Sequence, residues 1–317
     1  MRVRWWWAAL AGVLAVVVVI VAVVVSRGRT AAPEQAAGAR IVAREEAGER
    51  GRDLTVRSPA LGRTTPVRVL LPKGWTPGSG PWPVLYLLHG CCSPNHLVWD
   101  EQGGAERLTA GMPAIVVVPE GGPVGFYSDW LRGPKWETYH IKELIPLVEA
   151  EFGAGPERAV AGLSMGGLGA MGYAARHPGM FRAAASFSGV LDTTGDRSGL
   201  RQLVSRNGEN PDDLWGDLDR DRHVWEAHNP TALAGRLKDV RLYVSCGNGQ
   251  PGPLDPPGAG ADYEGALLGQ AVTFTERARA AGARITTDFY GNGTHTFPYW
   301  QRALEQALPM LREAIGA

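Results

Sequence analysis

The chain has 317 residues and a formal charge of zero, with 32 Lys and Arg against 32 Asp and Glu. That length suits one large domain or two small ones, and the charge balance excludes nucleic acid as a partner, which needs a basic surface. Three cysteines are too few for a disulfide scaffold. A bridge between the neighbours Cys91 and Cys92 needs an eight-membered ring, so these two and Cys246 read as small packing residues.

Residues 5–25 carry no charge and are mostly Val, Ala and Leu. As a helix they span roughly 30 Å, the thickness of a bilayer's hydrocarbon core. Arg2 and Arg4 precede them, and Trp5, Trp6 and Trp7 stand where interfacial aromatics belong. Residues 1–25 are therefore expected to be a retained signal anchor, one transmembrane helix holding the rest of the chain outside the cell membrane. The alternative is a cleaved signal peptide and a secreted protein. Against it stand the long apolar run and the distance to the first small-x-small site, Ala37-Gly38-Ala39. Arg27 and Arg29 balance Arg2 and Arg4, so charge does not set the orientation.

Residues 26–52 are rich in Ala, Gly, Arg and Glu without an apolar period, and read as a linker. The globular domain is expected over 53–317. Its predicted strands are 67–71, 84–88, 114–118, 158–163, 183–187, 240–245 and 284–290. Its predicted helices are 137–152, 165–176, 263–281 and 297–315. Apolar strands alternating with helices indicate a mainly parallel, doubly wound sheet covered on both faces. In such sheets ligands bind beyond the carboxyl ends of the strands. The polar stretch 192–235 reads as an excursion over that edge and part of a lid.

Gly162-Leu163-Ser164-Met165-Gly166 fits the Gly-x-Ser-x-Gly elbow of α/β-hydrolases, between a predicted strand and a helix of small residues. The Ser of such an elbow sits on a tight turn, and side chains two positions before and after would collide with it. A Ser hydroxyl needs a base to take its proton, and the base an orienting acid, in the chain order Ser, acid, His. His89 and His140 precede Ser164 and break that order. His177 ends the following helix and reads as its C-terminal cap. His223 and His228 fall in the polar excursion and are expected to face solvent or a lid. His295 follows the last predicted strand in Gly291-Asn292-Gly293-Thr294-His295 and is the expected base. For the acid, Asp255, Asp262 and Glu264 are all in order. Pattern alone prefers Asp255, in a Pro/Gly loop after strand 240–245.

Further segments are recognisable: Phe126-Tyr127-Ser128-Asp129-Trp130, Lys135-Trp136-Glu137-Thr138, Cys246-Gly247-Asn248-Gly249, and Asn292-Gly293-Thr294-His295 running on to Pro298-Tyr299-Trp300. With Gly162-Leu163-Ser164-Met165 they resemble the secreted mycolyltransferases of the antigen 85 type, in the α/β-hydrolase esterase superfamily. The resemblance implies Glu264 as the acid in place of Asp255, because the family carries a Glu on the helix after the Cys-Gly-Asn-Gly strand. Near a helix start the dipole favours its ionised form. It also implies an oxyanion hole made by the backbone N–H groups of Met165 and Cys91, and neither a metal nor an organic cofactor. Where the family has Asp and Arg beside its oxyanion glycine, this chain has His89 and Cys92, so the polar clamp for trehalose is not reproduced.

These readings imply a serine esterase or acyltransferase that forms an acyl-enzyme on a lipid or other ester, with water, a sugar or glycerol as acceptor. The other class of reading is a non-catalytic cell-wall or matrix-binding protein on the same fold. The presence of Ser, acid and His favours catalysis.

Overall fold

Apolar residues at alternate positions along the strands face opposite sides of one sheet. Val84, Tyr86 and Leu88 enter one buried cluster and Leu85 and Leu87 the other; Ile115 and Val117 oppose Val116 and Val118 in the same way. The computed structural model describes residues 38–92 and 95–317. The membrane anchor expected over 1–25 lies outside them. Among the described residues no helix is long and apolar enough to cross a membrane.

The described residues form a nine-stranded sheet in the order β1-β2-β3-β5-β4-β6-β7-β8-β9. The strands are β1 (Arg40–Ala47), β2 (Gly51–Ser58), β3 (Arg63–Leu70), β4 (Trp82–Leu88), β5 (Ile115–Pro119), β6 (Ala154–Leu163), β7 (Ala183–Phe187), β8 (Arg241–Cys246) and β9 (Arg284–Phe289). From β5 through β9 in that order all neighbours are parallel, while β1, β2, β3 and β5 pair antiparallel. This is the mainly parallel α/β-hydrolase sheet that the sequence predicts, with an antiparallel extension on one side.

One face is covered by the helices Met165–Arg176 and Glu264–Ala280, the other by Phe297–Ile315. Phe297–Ile315 buries Trp300, Ala303, Leu304, Ala307, Leu308, Leu311 and Ile315, a stripe at helical spacing. Register sets the ends of the parallel strands in a row: Leu88 pairs with Gly162, Leu163 with Phe187, Phe187 with Ser245 and Ser245 with Asp288. The loops leaving these strands therefore meet at one edge.

Three expectations need correction. The stretch 26–52 is not all linker, since β1 and the start of β2 fall within it. β1 is an edge strand with nearly every side chain in solvent, so it carries no apolar alternation, and backbone pairing with β2 defines it. The helix expected over 137–152 is interrupted: Trp136–Thr138 leads into a π-helical segment, Tyr139–Leu144, and then Ile145–Phe152. Pro146 lacks an N–H, and in a regular α-helix its ring would crowd the Lys142 carbonyl. The stretch 192–235 is not a polar excursion. It folds into the short helices Arg197–Arg206, Pro211–Trp215, Arg222–Ala227 and Pro230–Leu233, which bury Leu200, Val204, Trp215 and Trp225 in the core.

Candidate active site

Ser164 follows β6 directly and adopts φ +51° and ψ −116°, a region that non-glycine residues rarely enter. Its N–H donates to the Phe187 carbonyl at 2.9 Å, which ties the turn to β7. The flanking glycines are required for a reason the sequence did not reveal. A Cβ on Gly162 would overlap the backbone of Gly166, and one on Gly166 would overlap the carbonyls of Leu88 and His89. The collisions are with backbone, not with the serine side chain. Gly90 is less tightly constrained: its Cβ would lie 2.6 Å from Leu163 Cδ1, the tip of a side chain that can shift, and 3.3 Å from Ser164 Cβ.

A cavity of about 190 Å³ opens at this edge, lined among others by Gly90, Cys91, Ser164, Tyr263, His295 and Trp300. No described residue of 192–235 lines it. Met165, the first residue of its helix, has an N–H without an intrahelical acceptor. Of the two residues expected to form the oxyanion hole, Met165 directly follows Ser164 in the chain and Cys91 lines the same cavity.

Behind the cavity, His295 Nδ1 lies 2.6 Å from Oε2 of Glu264, a fully buried carboxylate at the head of its helix. With Nδ1–H donating to Glu264, Nε2 keeps its lone pair. Glu264 Oε1 accepts from the Ser188 hydroxyl and from the Gly247 N–H at 3.0 Å, with Cys246 Sγ 3.2 Å away. Burial pushes the Glu264 carboxyl up, but His295, Ser188 and Gly247 outweigh it and hold it below the usual value. Burial and the adjacent Glu264 push the Cys246 thiol well up, so Cys246 remains a neutral thiol.

Asp255, the acid preferred on pattern alone, has other partners. It accepts from the Tyr299 hydroxyl and the Gly252 N–H, both at 2.8 Å, and from the Thr294 hydroxyl. It braces the loop carrying His295 while Glu264 holds the imidazole. A backbone-reading role of Asp262 was not visible in the sequence: it accepts from the His295 N–H at 2.6 Å and from the Glu264 N–H at 3.0 Å. Ser188 was missed altogether; besides Glu264 it binds Trp300 Nε1 at 3.0 Å. Its only sequence signal is its place one residue after a predicted strand.

The remaining candidates lie elsewhere. His177 is the C-cap of Met165–Arg176 and contacts Glu137 at 2.7 Å. His223 is exposed. His228 is half-buried and stacks on Trp215 with ring centres 5.1 Å apart. Burial lowers its pKa to about 4. Cys91 and Cys92 are bonded to each other rather than being separate packing thiols; the peptide between them is cis and their Cα atoms are 3.3 Å apart.

The Esterase family model matches residues 58–311. The diacylglycerol acyltransferase/mycolyltransferase Ag85B of Mycolicibacterium smegmatis is 32% identical over 281 residues, covering 83% of this chain and 85% of that protein. The chain belongs to the esterase family, in its antigen 85 branch. Within that family an esterase of Mycobacterium tuberculosis is 36% identical over 230 residues, 69% of this chain and 50% of that longer protein. The crystal structure of MPT51 from Mycobacterium tuberculosis superposes with a TM-score of 0.70 at 28% identity, covering 84% of this chain and 99% of the other. Family membership makes this an enzyme of ester hydrolysis or acyl transfer.

Proposed function

We propose that the chain is a serine esterase or acyltransferase that works through an acyl-enzyme on Ser164. The observation that carries this reading is one cavity holding both Ser164 and His295, with His295 hydrogen-bonded from behind to buried Glu264. Ser164 Oγ attacks the ester carbonyl as its proton passes to His295 Nε2. The carbonyl electron pair moves onto oxygen, which accepts from the N–H groups of Met165 and Cys91. Collapse of this intermediate breaks the bond to the leaving alcohol, and His295 returns the proton to it. Water, a sugar or glycerol then attacks the acyl-enzyme by the same route and frees Ser164. Glu264 stays ionised throughout and stabilises the imidazolium.

The substrate is an ester or acyl lipid. Leu163, Val98, Phe297 and Trp300 supply apolar wall, and Asn95, Gln102 and Tyr263 polar groups at the cavity. The apolar run at residues 5–25 supports residues 1–25 as a membrane anchor, and the resemblance to secreted mycolyltransferases supports the outer side of the membrane. Chromogenic p-nitrophenyl esters and a fluorophosphonate probe test the mechanism. Wild type should turn over the esters and bind the probe, and Ser164→Ala should do neither; full activity in Ser164→Ala would refute the reading. Product analysis with a lipid ester, with and without trehalose or glycerol, then separates hydrolysis from transfer.

A further inference from the structure

A buried imidazole that takes no part in the proton relay sits directly under the oxyanion loop. His89 directly follows strand β4 and is 1% exposed. The Gly121 N–H points at His89 Nε2 from 2.8 Å. That nitrogen must therefore accept, and the proton resides on Nδ1. Nδ1 lies 2.6 Å from the Gly90 carbonyl, to which it donates. Glu120 Oε1 is farther from Nε2, at 3.4 Å, and accepts from the Gly122 N–H at 2.7 Å. A second proton on the ring would set Nε2–H against the Gly121 N–H.

The Gly90 carbonyl and the Cys91 N–H belong to one planar peptide unit, so holding the carbonyl orients the N–H. The neighbouring carbonyls are held as well. Leu88 accepts from Trp99 Nε1 at 3.0 Å, and His89 from the Tyr127 hydroxyl at 2.9 Å. Three consecutive carbonyls before Cys91 thus each have a side-chain donor. Of these donors, only His89 acts on the peptide that carries the oxyanion N–H.

We propose that His89 is a positioning residue of the oxyanion hole: as its Nδ1–H tautomer it anchors the Gly90–Cys91 peptide and aims the Cys91 N–H at the substrate oxygen. This rests on the acyl-enzyme reading above. An oxyanion donor displaced rather than deleted loses transition-state stabilisation with little change in ground-state binding.

Two measurements test it. Ring-nitrogen NMR of wild type should find His89 protonated at Nδ1 and bare at Nε2, a result independent of turnover. A bare Nδ1 overturns the proposal. In kinetics on p-nitrophenyl esters, His89→Ala should lower kcat roughly 10- to 100-fold with KM nearly unchanged. His89→Asn, whose amide nitrogen takes the place of Nδ1, should recover most of that loss, and His89→Gln should not. Equal loss in all three variants, or a change in KM alone, would overturn it. Should His89→Ala fail to fold, the Asn and Gln pair and the NMR decide. Inactivity of wild type would count against the acyl-enzyme reading, while the NMR would still report on His89.

Discussion

Replacing Glu264 by Gln changes one atom of a buried side chain, and the surroundings dictate which one. Oε1 is approached by the Ser188 hydroxyl, Cys246 Sγ and the Gly247 N–H, and Oε2 only by His295. The Gln oxygen must occupy the Oε1 place, which turns its amide NH₂ toward His295 Nδ1. Two donors then face each other. His295 relieves the conflict by moving its proton to Nε2, where it blocks acceptance of the Ser164 proton. Carrying over the effect of an analogous Asp-to-Asn change in a serine protease, kcat should fall about 10³- to 10⁴-fold. Stability should fall by roughly 1–3 kcal/mol, as charge-assisted bonds to Ser188, Gly247 and His295 become neutral ones or are lost. The assay is steady-state hydrolysis of p-nitrophenyl butyrate, with thermal melting to show that the variant is folded. Asp255→Asn is the matched control, because Asp255 binds Thr294, Tyr299 and Gly252; its kcat should stay within about threefold of wild type. A Glu264→Gln enzyme within tenfold of wild type, or an Asp255→Asn enzyme as damaged as it, would refute the assignment of the acid.

Two further outcomes are expected. Asp262→Ala strands the N–H groups of both His295 and Glu264, so kcat should drop roughly 10- to 100-fold in a folded protein; unchanged kcat would show that the loop holds itself. The second concerns His140, whose pKa burial lowers to about 4 against an ordinary 6.5, while it accepts from the Tyr173 hydroxyl and donates to the Glu120 carbonyl. Its folded pKa is depressed, so its contribution is complete above pH 6.5 and is lost as pH falls toward 4, by up to about 1.4 kcal/mol per pH unit. Urea denaturation at pH 7 and pH 5 should show this loss, and a folded His140→Gln protein should show a smaller one; an identical slope would exclude His140 as a source.

Much of the fold is legible because it rests on local periodicity. The runs 84–88 and 114–118 are apolar at every position, short, and bounded by Gly or Pro, as a strand covered on both faces is, and they appear as β4 and β5. β1 escaped because an edge strand in solvent leaves no apolar record, and the π-helical segment because periodicity does not report a locally widened turn. The stretch 192–235 was misread for a related reason: its buried residues are spread over short helices, three of them too short to show a helical period.

The site divides along the same line. Ser164, flanked by Gly162 and Gly166 between a strand and a helix, and His295 after the final strand could be singled out by the sequence alone, because tight turns and chain order are local properties. The choice between Asp255 and Glu264 was not local. Both carboxylates lie within hydrogen-bonding distance of the loop carrying His295, and only the packing of the Glu264–Ala280 helix against β8 brings Glu264 rather than Asp255 to Nδ1. The roles of Ser188, Asp262 and His89 were likewise decided by tertiary structure. Each depends on at least one partner far away in the chain, Glu264 for Ser188, His295 for Asp262 and Gly121 for His89, which no period or spacing encodes.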